Sequence, residues 1–232
     1  LNLAANQVSK PYVEMTVALM RQAGADVYWL DGNITVAPKP YKSCEIEVEP
    51  DWSAASYFYA FQMLSPGLDI ALSGLKPESL QGDIEILSIC KQFGIETDFG
   101  PGATFLRKRE VTKMPQELNF ISCPDLVQTI AVMAAGCKCP LRLTGLQTLK
   151  VKETDRIVAL KNELEKCGVH CQTTNDSLTL VSFERPVSTP IISTYKDHRM
   201  AMAFAPLASV FGEIVIETGL SLGDKIITDG YN

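Results

Sequence analysis

The chain has 232 residues, 46% of them hydrophobic, and a net charge of -6. The apolar fraction excludes global disorder and calls for a sizeable core, and the length suits one large domain or one domain plus part of another. The acidic balance excludes a general nucleic-acid binder, although a few Lys and Arg can still reverse the field inside a cleft. No apolar run reaches the ~18 residues of a membrane-spanning helix, and the first residues do not read as a signal peptide. The seven cysteines lack zinc-ligand spacing, so buried, reduced thiols in a cytoplasmic protein are expected, without membrane or nucleic-acid partners.

In chain order, Ser9-Lys10-Pro11-Tyr12 opens an amphipathic helix that runs to Gly24, with Tyr12, Met15, Leu19 and Met20 on one face. Two short strands follow, Val27–Leu30 and Ile34–Val36, joined through Asp31-Gly32-Asn33. The segment 38–50 holds three prolines and reads as an inter-domain connection, with a strand at Glu45–Val48. Asp51 starts a helix that is apolar nearly all round, hence buried, and that ends near Pro66-Gly67. Gln81-Gly82-Asp83 starts a second amphipathic helix that ends at Gly94. The alternation then repeats. A strand at Leu118–Ile121 precedes an apolar helix from Pro124-Asp125 to Gly136. An amphipathic helix from Lys152 to Gly168 has Ile157, Leu160 and Leu164 on one face, and strands follow at His170–Thr173 and Leu178–Val181. A last strand at Ile191–Thr194 precedes a third apolar helix from Asp197 to near Gly212. The aspartates at 51, 125 and 197 are 74 and 72 residues apart.

The fold class is therefore α/β (α+β), built from a repeated strand-helix-strand-helix-strand-strand unit. Residues 45–110 and 118–182 are complete copies, 1–37 is a back half and 191–217 a front half. A chain that enters and leaves mid-repeat would expose apolar helix faces, so a fragment of a longer protein is expected.

The helix starts carry the unusual side chains. Lys152-Glu153-Thr154-Asp155-Arg156 sets two cations four residues apart at a helix N-terminus, where free N–H groups already favour an anion. Either this is a solvated first turn or a phosphate or carboxylate compensates cations that would otherwise be misplaced. Asp197-His198-Arg199 repeats the theme, and an Arg fork suits a carboxylate or phosphate. The competing reading is an N-cap Asp with Arg199 paired to a neighbouring acid. Asp125 taken alone reads as an N-cap. Ser9 is an N-cap hydroxyl beside a cation. Asp51 is an ordinary cap with no cation nearby, and His170 is structural. No phosphate-binding Gly-rich loop and no metal-ligand spacing is present, so neither a metal nor an organic cofactor is expected.

The stretches Lys152-Glu153-Thr154-Asp155-Arg156 and Asp197-His198-Arg199-Met200-Ala201-Met202 resemble the two C-terminal signatures of 5-enolpyruvylshikimate-3-phosphate synthases. Asp51 to Phe58, Gln81-Gly82-Asp83, Pro124-Asp125 and Ser9-Lys10-Pro11-Tyr12 match in the same order, so the resemblance covers about residues 7 to 217. It implies an enolpyruvyl transferase-type fold, with buried parallel helices and sheets outside, and an active site between two domains. Residues 1–48 would end the first domain, 49–217 would form most of the second, and 218–232 departs from the pattern as an atypical tail. Lys225 in that tail is assigned no role.

The activity implied is transfer of the carboxyvinyl group of phosphoenolpyruvate to shikimate 3-phosphate, with no cofactor and with the missing N-terminal domain as partner. By resemblance, Asp125 lies at the shikimate 5-hydroxyl, Glu153 handles the proton at the methylene carbon and Lys152 lies near both substrates. Arg156 and Arg199, with His198 beside them, hold phosphoenolpyruvate. Ser9, Tyr12 and Thr148 contact shikimate 3-phosphate. Two rivals stand beside this reading: a UDP-N-acetylglucosamine enolpyruvyl transferase, and a non-catalytic anion-binding fragment.

Overall fold

A computed structural model describes residues 1–3 and 8–217, so the tail at 218–232 lies outside the described residues. Helix α1 (Lys10–Gln22) is followed by β1 (Val27–Leu30) and β2 (Asn33–Val36), an antiparallel hairpin. Its turn residues Asp31 and Gly32 both have positive φ, 49° and 76°, the backbone of a turn whose twist matches the strands. Val27 and Ile34 point inward and pack with Val17 and Ala25 in a small apolar cluster of their own. The face of α1 that serves this cluster is Val13, Val17 and Met20, not the stripe through Tyr12, Met15 and Leu19.

Residues 39–50 form no regular element, so the expected strand at Glu45–Val48 is absent. Its apolar alternation has nothing to bury against: Ile46 and Val48 are exposed. Side chains hold the segment instead of ladder bonds. Glu47 pairs with Lys76 at 2.8 Å, and Glu49 accepts the Ser79 hydroxyl and the Leu80 N–H.

The repeat then unfolds as three units. The first contains α2 (Trp52–Leu64), β3 (Ile70–Leu72), a 3-10 turn over Gly82–Glu85 that runs into α3 (Ile86–Gln92), β4 (Ile95–Gly100) and β5 (Ala103–Lys108). Its antiparallel sheet has the order β3-β5-β4. The second unit is complete: β6 (Glu117–Asn119), α4 (Val127–Gly136), β7 (Leu141–Thr144), α5 (Arg156–Lys166), β8 (Val169–Thr173) and β9 (Ser177–Phe183). Its sheet runs β6-β7-β9-β8, parallel at β6–β7 and antiparallel elsewhere. The third provides β10 (Ile191–Ser193), α6 (His198–Phe204), α7 (Ala208–Phe211) and β11 (Val215–Glu217), with β10 and β11 parallel as β6 and β7 are. The last apolar helix is interrupted by a 3-10 turn over Ala205–Leu207, because Pro206 cannot donate to a continuous helical ladder.

The core lies among α2, α4 and α6, with α4 packed on both of the others. Every residue of α4 from Val127 to Ala135 is buried, which is why its sequence is apolar on all sides. Each fully buried Ile, Val or Met there contributes about 1.5–3 kcal/mol. The Ser56 and Thr129 hydroxyls satisfy one another across the α2–α4 seam at 3.0 Å.

The repeat is exact enough to reuse one glycine. Gly94 and Gly168 follow α3 and α5 with φ of 89° and 80°, and their carbonyls accept from Arg109 N–H and Glu184 N–H. A Cβ at Gly168 would lie 2.4 Å from the Glu184 carbonyl oxygen, and one at Gly94 2.3 Å from that of Arg109. Gly168→Ala is therefore expected to cost about 1–3 kcal/mol from positive φ, plus the clash. Denaturant titration reads this directly, and a variant within about 0.5 kcal/mol of the parent would show that the loop yields.

Candidate active site

Three chain segments at the starts of α4, α5 and α6 bring the charged residues together. Pro124 opens a 3-10 turn, Pro124–Leu126, ahead of α4, and Asp125 sits on that turn. Its carboxylate caps no helix and faces cations instead, so the plain N-cap reading fails. Helix α5 starts at Arg156, later than expected, because Asp155 is its N-cap and accepts Ile157 and Val158 N–H at 3.2 Å each. Lys152 is extended, after a 3-10 turn over Gln147–Val151. The expected one-face relation of Lys152 and Arg156 along a helix therefore does not exist. They meet only because both reach Asp125.

Arg156 is the hub. Its side chain is 1% exposed, and it donates through Nε to Asp197 Oδ2 at 2.6 Å, through Nη1 to Asp125 Oδ1 at 3.0 Å, and through Nη2 to Glu153 Oε2 at 2.6 Å and Asp197 Oδ1 at 3.3 Å. Asp197 is 0% exposed and works twice: it pairs with Arg156 and caps α6 by accepting Arg199 N–H at 2.9 Å. Asp125, its side chain 16% exposed, also accepts from Arg199 Nη2 at 3.3 Å and has Lys152 Nζ at 3.5 Å. Arg199 is thus paired to a neighbouring acid, as one reading of the sequence had it.

Burial pushes the Asp125 carboxyl upward, but the fields of Arg199, Lys152 and Arg156 outweigh it and hold the group below the ordinary Asp range. Burial favours loss of the Arg199 proton, yet Asp125, the Tyr57 phenol, Asp83 and Asp51 more than reverse this and raise it. The Tyr57 phenol is pushed up to about 12 by burial, against the pull of Arg199. Asp51 caps α2 through Ser53 and Ala54 N–H as expected. A cation is nearby after all, since Arg199 feels its charge.

The remaining candidates make other contacts. Tyr12, on α1, lies near enough to Asp125 and Arg199 to feel their charges, and donates its hydroxyl to Asp83 Oδ1 at 2.8 Å. Ser9 holds the N-cap position of α1 with φ 59°, but its side chain makes no cap; its N–H donates to the Ile121 carbonyl at 2.8 Å. Thr148 is on the turn before Lys152, its hydroxyl buried and without a hydrogen-bond partner among the described residues. His198 is exposed, and no hydrogen bond ties it to the carboxylates. His170 pairs with Glu184 at the surface. Of the seven cysteines, Cys44 is exposed and Cys137 partly so, against the expectation that all are buried.

The sequence missed Asp83, Asp197 as a partner of Arg156, and Tyr57. Each was disguised: Asp83 as a first-turn acid, Asp197 as a cap and Tyr57 as a core aromatic. Among the described residues, no group of three His, Cys, Asp or Glu is placed to hold a metal, and no helix is long and apolar enough to cross a membrane. A cleft of about 680 Å³ around Glu184–Ile191 shares no lining residue with the charged cluster. The cluster itself is near charge balance, with Lys152, Arg156 and Arg199 against Asp125, Glu153 and Asp197.

Residues 3–222 match the family model of EPSP synthase (3-phosphoshikimate 1-carboxyvinyltransferase). A 3-phosphoshikimate 1-carboxyvinyltransferase of Bacteroides fragilis is 43% identical over 220 residues, 94% of this chain and 54% of that protein. One of Methanospirillum hungatei is 34% identical over 238 aligned positions, 100% of this chain and 53% of that protein. The chain spans about half the length of the curated relatives it matches. Among solved structures, an EPSP synthase of Acinetobacter baumannii superposes with a TM-score of 0.64 at 25% identity, over 87% of this chain and 49% of that one. An enolpyruvyl transferase of Streptomyces tendae shares the fold, with a TM-score of 0.57 at 16% identity over 87% of this chain and 47% of its own.

Proposed function

The chain belongs to the EPSP synthase family, and on that premise we propose that it forms one wall of a site that transfers the carboxyvinyl group of phosphoenolpyruvate to the 5-hydroxyl of shikimate 3-phosphate. The observation that carries this reading is the meeting of three separate segments, in which Lys152, Arg156 and Arg199 converge on the Asp125 carboxylate and Arg156 also holds Glu153. Transfer needs three proton movements. The methylene carbon of phosphoenolpyruvate gains a proton as the shikimate oxygen, losing its own, bonds to the adjacent carbon. One proton then leaves the new methyl group as phosphate departs. Glu153, half-exposed beside the cluster, is the group for the carbon proton, and Asp125 accepts the hydroxyl proton.

The electrostatics support a shared site. Asp125 is held ionised but weakly basic by its three cations. A substrate anion that engages Arg199 and Lys152 would relieve that field and raise Asp125 towards a useful base. Three cations already matched by three carboxylates cannot also neutralise two anionic substrates, so further positive charge must come from outside this wall. We assign it to the first domain of the same protein. Residues 1–48 would end that domain and 49–217 would form most of the second, a division favoured by the separate apolar cluster of α1, β1 and β2. Arg156, fully engaged inside the protein, acts by holding Asp125, Glu153 and Asp197 in register, and becomes a substrate ligand only if a carboxylate leaves it. Ser9, Tyr12 and Thr148 border the shikimate side, and His198 the rim. No metal or organic cofactor is required, and a cytoplasmic setting suits the seven unpaired thiols.

Phosphate release from phosphoenolpyruvate plus shikimate 3-phosphate tests the reading, with this chain alone and with the complementary N-terminal half added. Release only in the mixture, and only with both substrates, is the expected result. Release with UDP-N-acetylglucosamine as acceptor would reassign the substrate. Binding of both anions with no release in the mixture would leave a non-catalytic anion-binding wall.

A further inference from the structure

We infer, on the basis of the function just proposed, that Asp83 is a positioning residue. Its buried carboxylate fixes the Tyr12 side chain against the Asp125–Arg199 cluster, so that Tyr12 offers the acceptor substrate a ring face and an acceptor oxygen, but no donor.

Asp83 is 0% exposed and caps no helix. Its two oxygens serve two different elements: Oδ1 accepts the Tyr12 hydroxyl of α1 at 2.8 Å, and Oδ2 accepts the Ser53 hydroxyl of α2. The Tyr12 hydroxyl has a single proton and gives it to Asp83, so only its lone pairs remain for a ligand. A substrate hydroxyl can donate to that oxygen; a phosphate dianion cannot.

The approach of α1 to this turn is specified at two other points. A Cβ on Gly82 would lie 2.9 Å from both Pro11 Cβ and the Ser122 carbonyl oxygen, so only glycine lets Pro11 come so near. The Ser9 N–H donates to the Ile121 carbonyl at 2.8 Å. These contacts bring α1, which packs on the small core, against the turn at Gly82 and Asp83, and the Asp83–Tyr12 pair lies near enough to the charged cluster to feel Asp125 and Arg199.

The acid is a costly way to make a merely structural link. Among the described residues no cation touches Asp83 directly. Burial raises its carboxyl, the hydrogen bonds from Ser53 and Tyr12 offset part of that, Asp125 raises it further and Arg199 lowers it. An amide could keep both contacts without the cost of a buried charge, its oxygen accepting from one hydroxyl and its NH2 donating to the other. What the amide would lose is the negative charge that binds the Tyr12 proton firmly and adds to the field on Arg199.

The test is a cycle of Asp83→Asn, Tyr12→Phe and the double variant in the full-length protein, with phosphate release measured at varied shikimate 3-phosphate and melting temperature measured at neutral pH. Each single change is expected to raise KM for shikimate 3-phosphate about tenfold with kcat little changed, and the double to be no worse than the worse single, as for two residues acting as one unit. Asp83→Asn should melt no lower than the parent. Tyr12→Phe, which removes one half-buried hydroxyl, keeps the cycle readable if Asp83→Asn folds poorly. The inference is overturned if Asp83→Asn lowers the melting temperature and leaves KM unchanged, or if the two KM effects multiply. Absence of phosphate release from the unaltered protein would instead overturn the functional reading beneath it.

Discussion

Arg156→Ala is expected to cost about 3–5 kcal/mol of stability, the range for removing one partner of a buried ion pair. Among the described residues the guanidinium is the only direct cationic partner of Asp197, which is itself wholly buried, and it also holds Asp125 and Glu153. Without it Asp197 must either stay charged in an apolar surrounding or bind a proton, and either course is unfavourable at neutral pH. Asp197 also caps α6, so its displacement would loosen the start of that helix. Arg156→Lys should recover only part of the loss, since one ammonium cannot meet three carboxylates with the geometry of a planar fork. Chemical denaturation of the parent and both variants decides it. A loss below about 1 kcal/mol for the alanine variant would mean that Asp197 finds another donor, and the hub would no longer account for the order of the site.

Asp125→Ala and Glu153→Ala, made in the full-length parent, are expected to lower turnover by about 10²–10⁴-fold each, the range for a positioned acid–base group. Folding should suffer far less. Glu153 has 47% of its side chain exposed, and Lys152 and Arg199 can turn towards solvent when Asp125 is gone. Wild-type turnover in either variant would remove that residue from the mechanism. Asp125 also carries a pH signature. Its carboxyl is depressed in the folded protein, so its contribution to stability is complete above the unfolded-state value and is lost as pH falls through the folded one. The stability penalty of Asp125→Asn should therefore be present at neutral pH and fade as pH falls below the ordinary Asp value. A penalty that does not change with pH would assign the effect to shape and not to charge.

Much of this site was legible in the linear chain, because its residues lie beside helix starts, and helix starts have local signatures. Asp51, Asp155 and Asp197 all cap helices, and each sits where a polar residue precedes an apolar or amphipathic run. The cations of Lys152 to Arg156 and Asp197 to Arg199 stood out for the same reason. What could not be read was the use of each charge. Capping explains Asp197 completely on local grounds, and nothing nearby in sequence shows that Arg156, 41 residues earlier, pairs with it. Asp125 looked like a cap and is not one, since a 3-10 turn intervenes before α4. The strand expected at Glu45–Val48 failed because alternation implies a strand only where the apolar members have a surface to cover.

The sequence alone determined the repeat, its period, the order of its elements, the apolar helices that build the core and the short list of charged residues at their mouths. These depend on spacing, on helix and turn chemistry and on apolar periodicity, all of which act over a few residues. Tertiary structure alone decided that the cations are already matched by carboxylates, that Arg156 is buried at the centre of them, and that Tyr12 is held by Asp83, 71 residues away. Those are consequences of burial and of contacts between distant segments. The energy of a charge depends on what surrounds it in space, and its neighbours in sequence do not specify that.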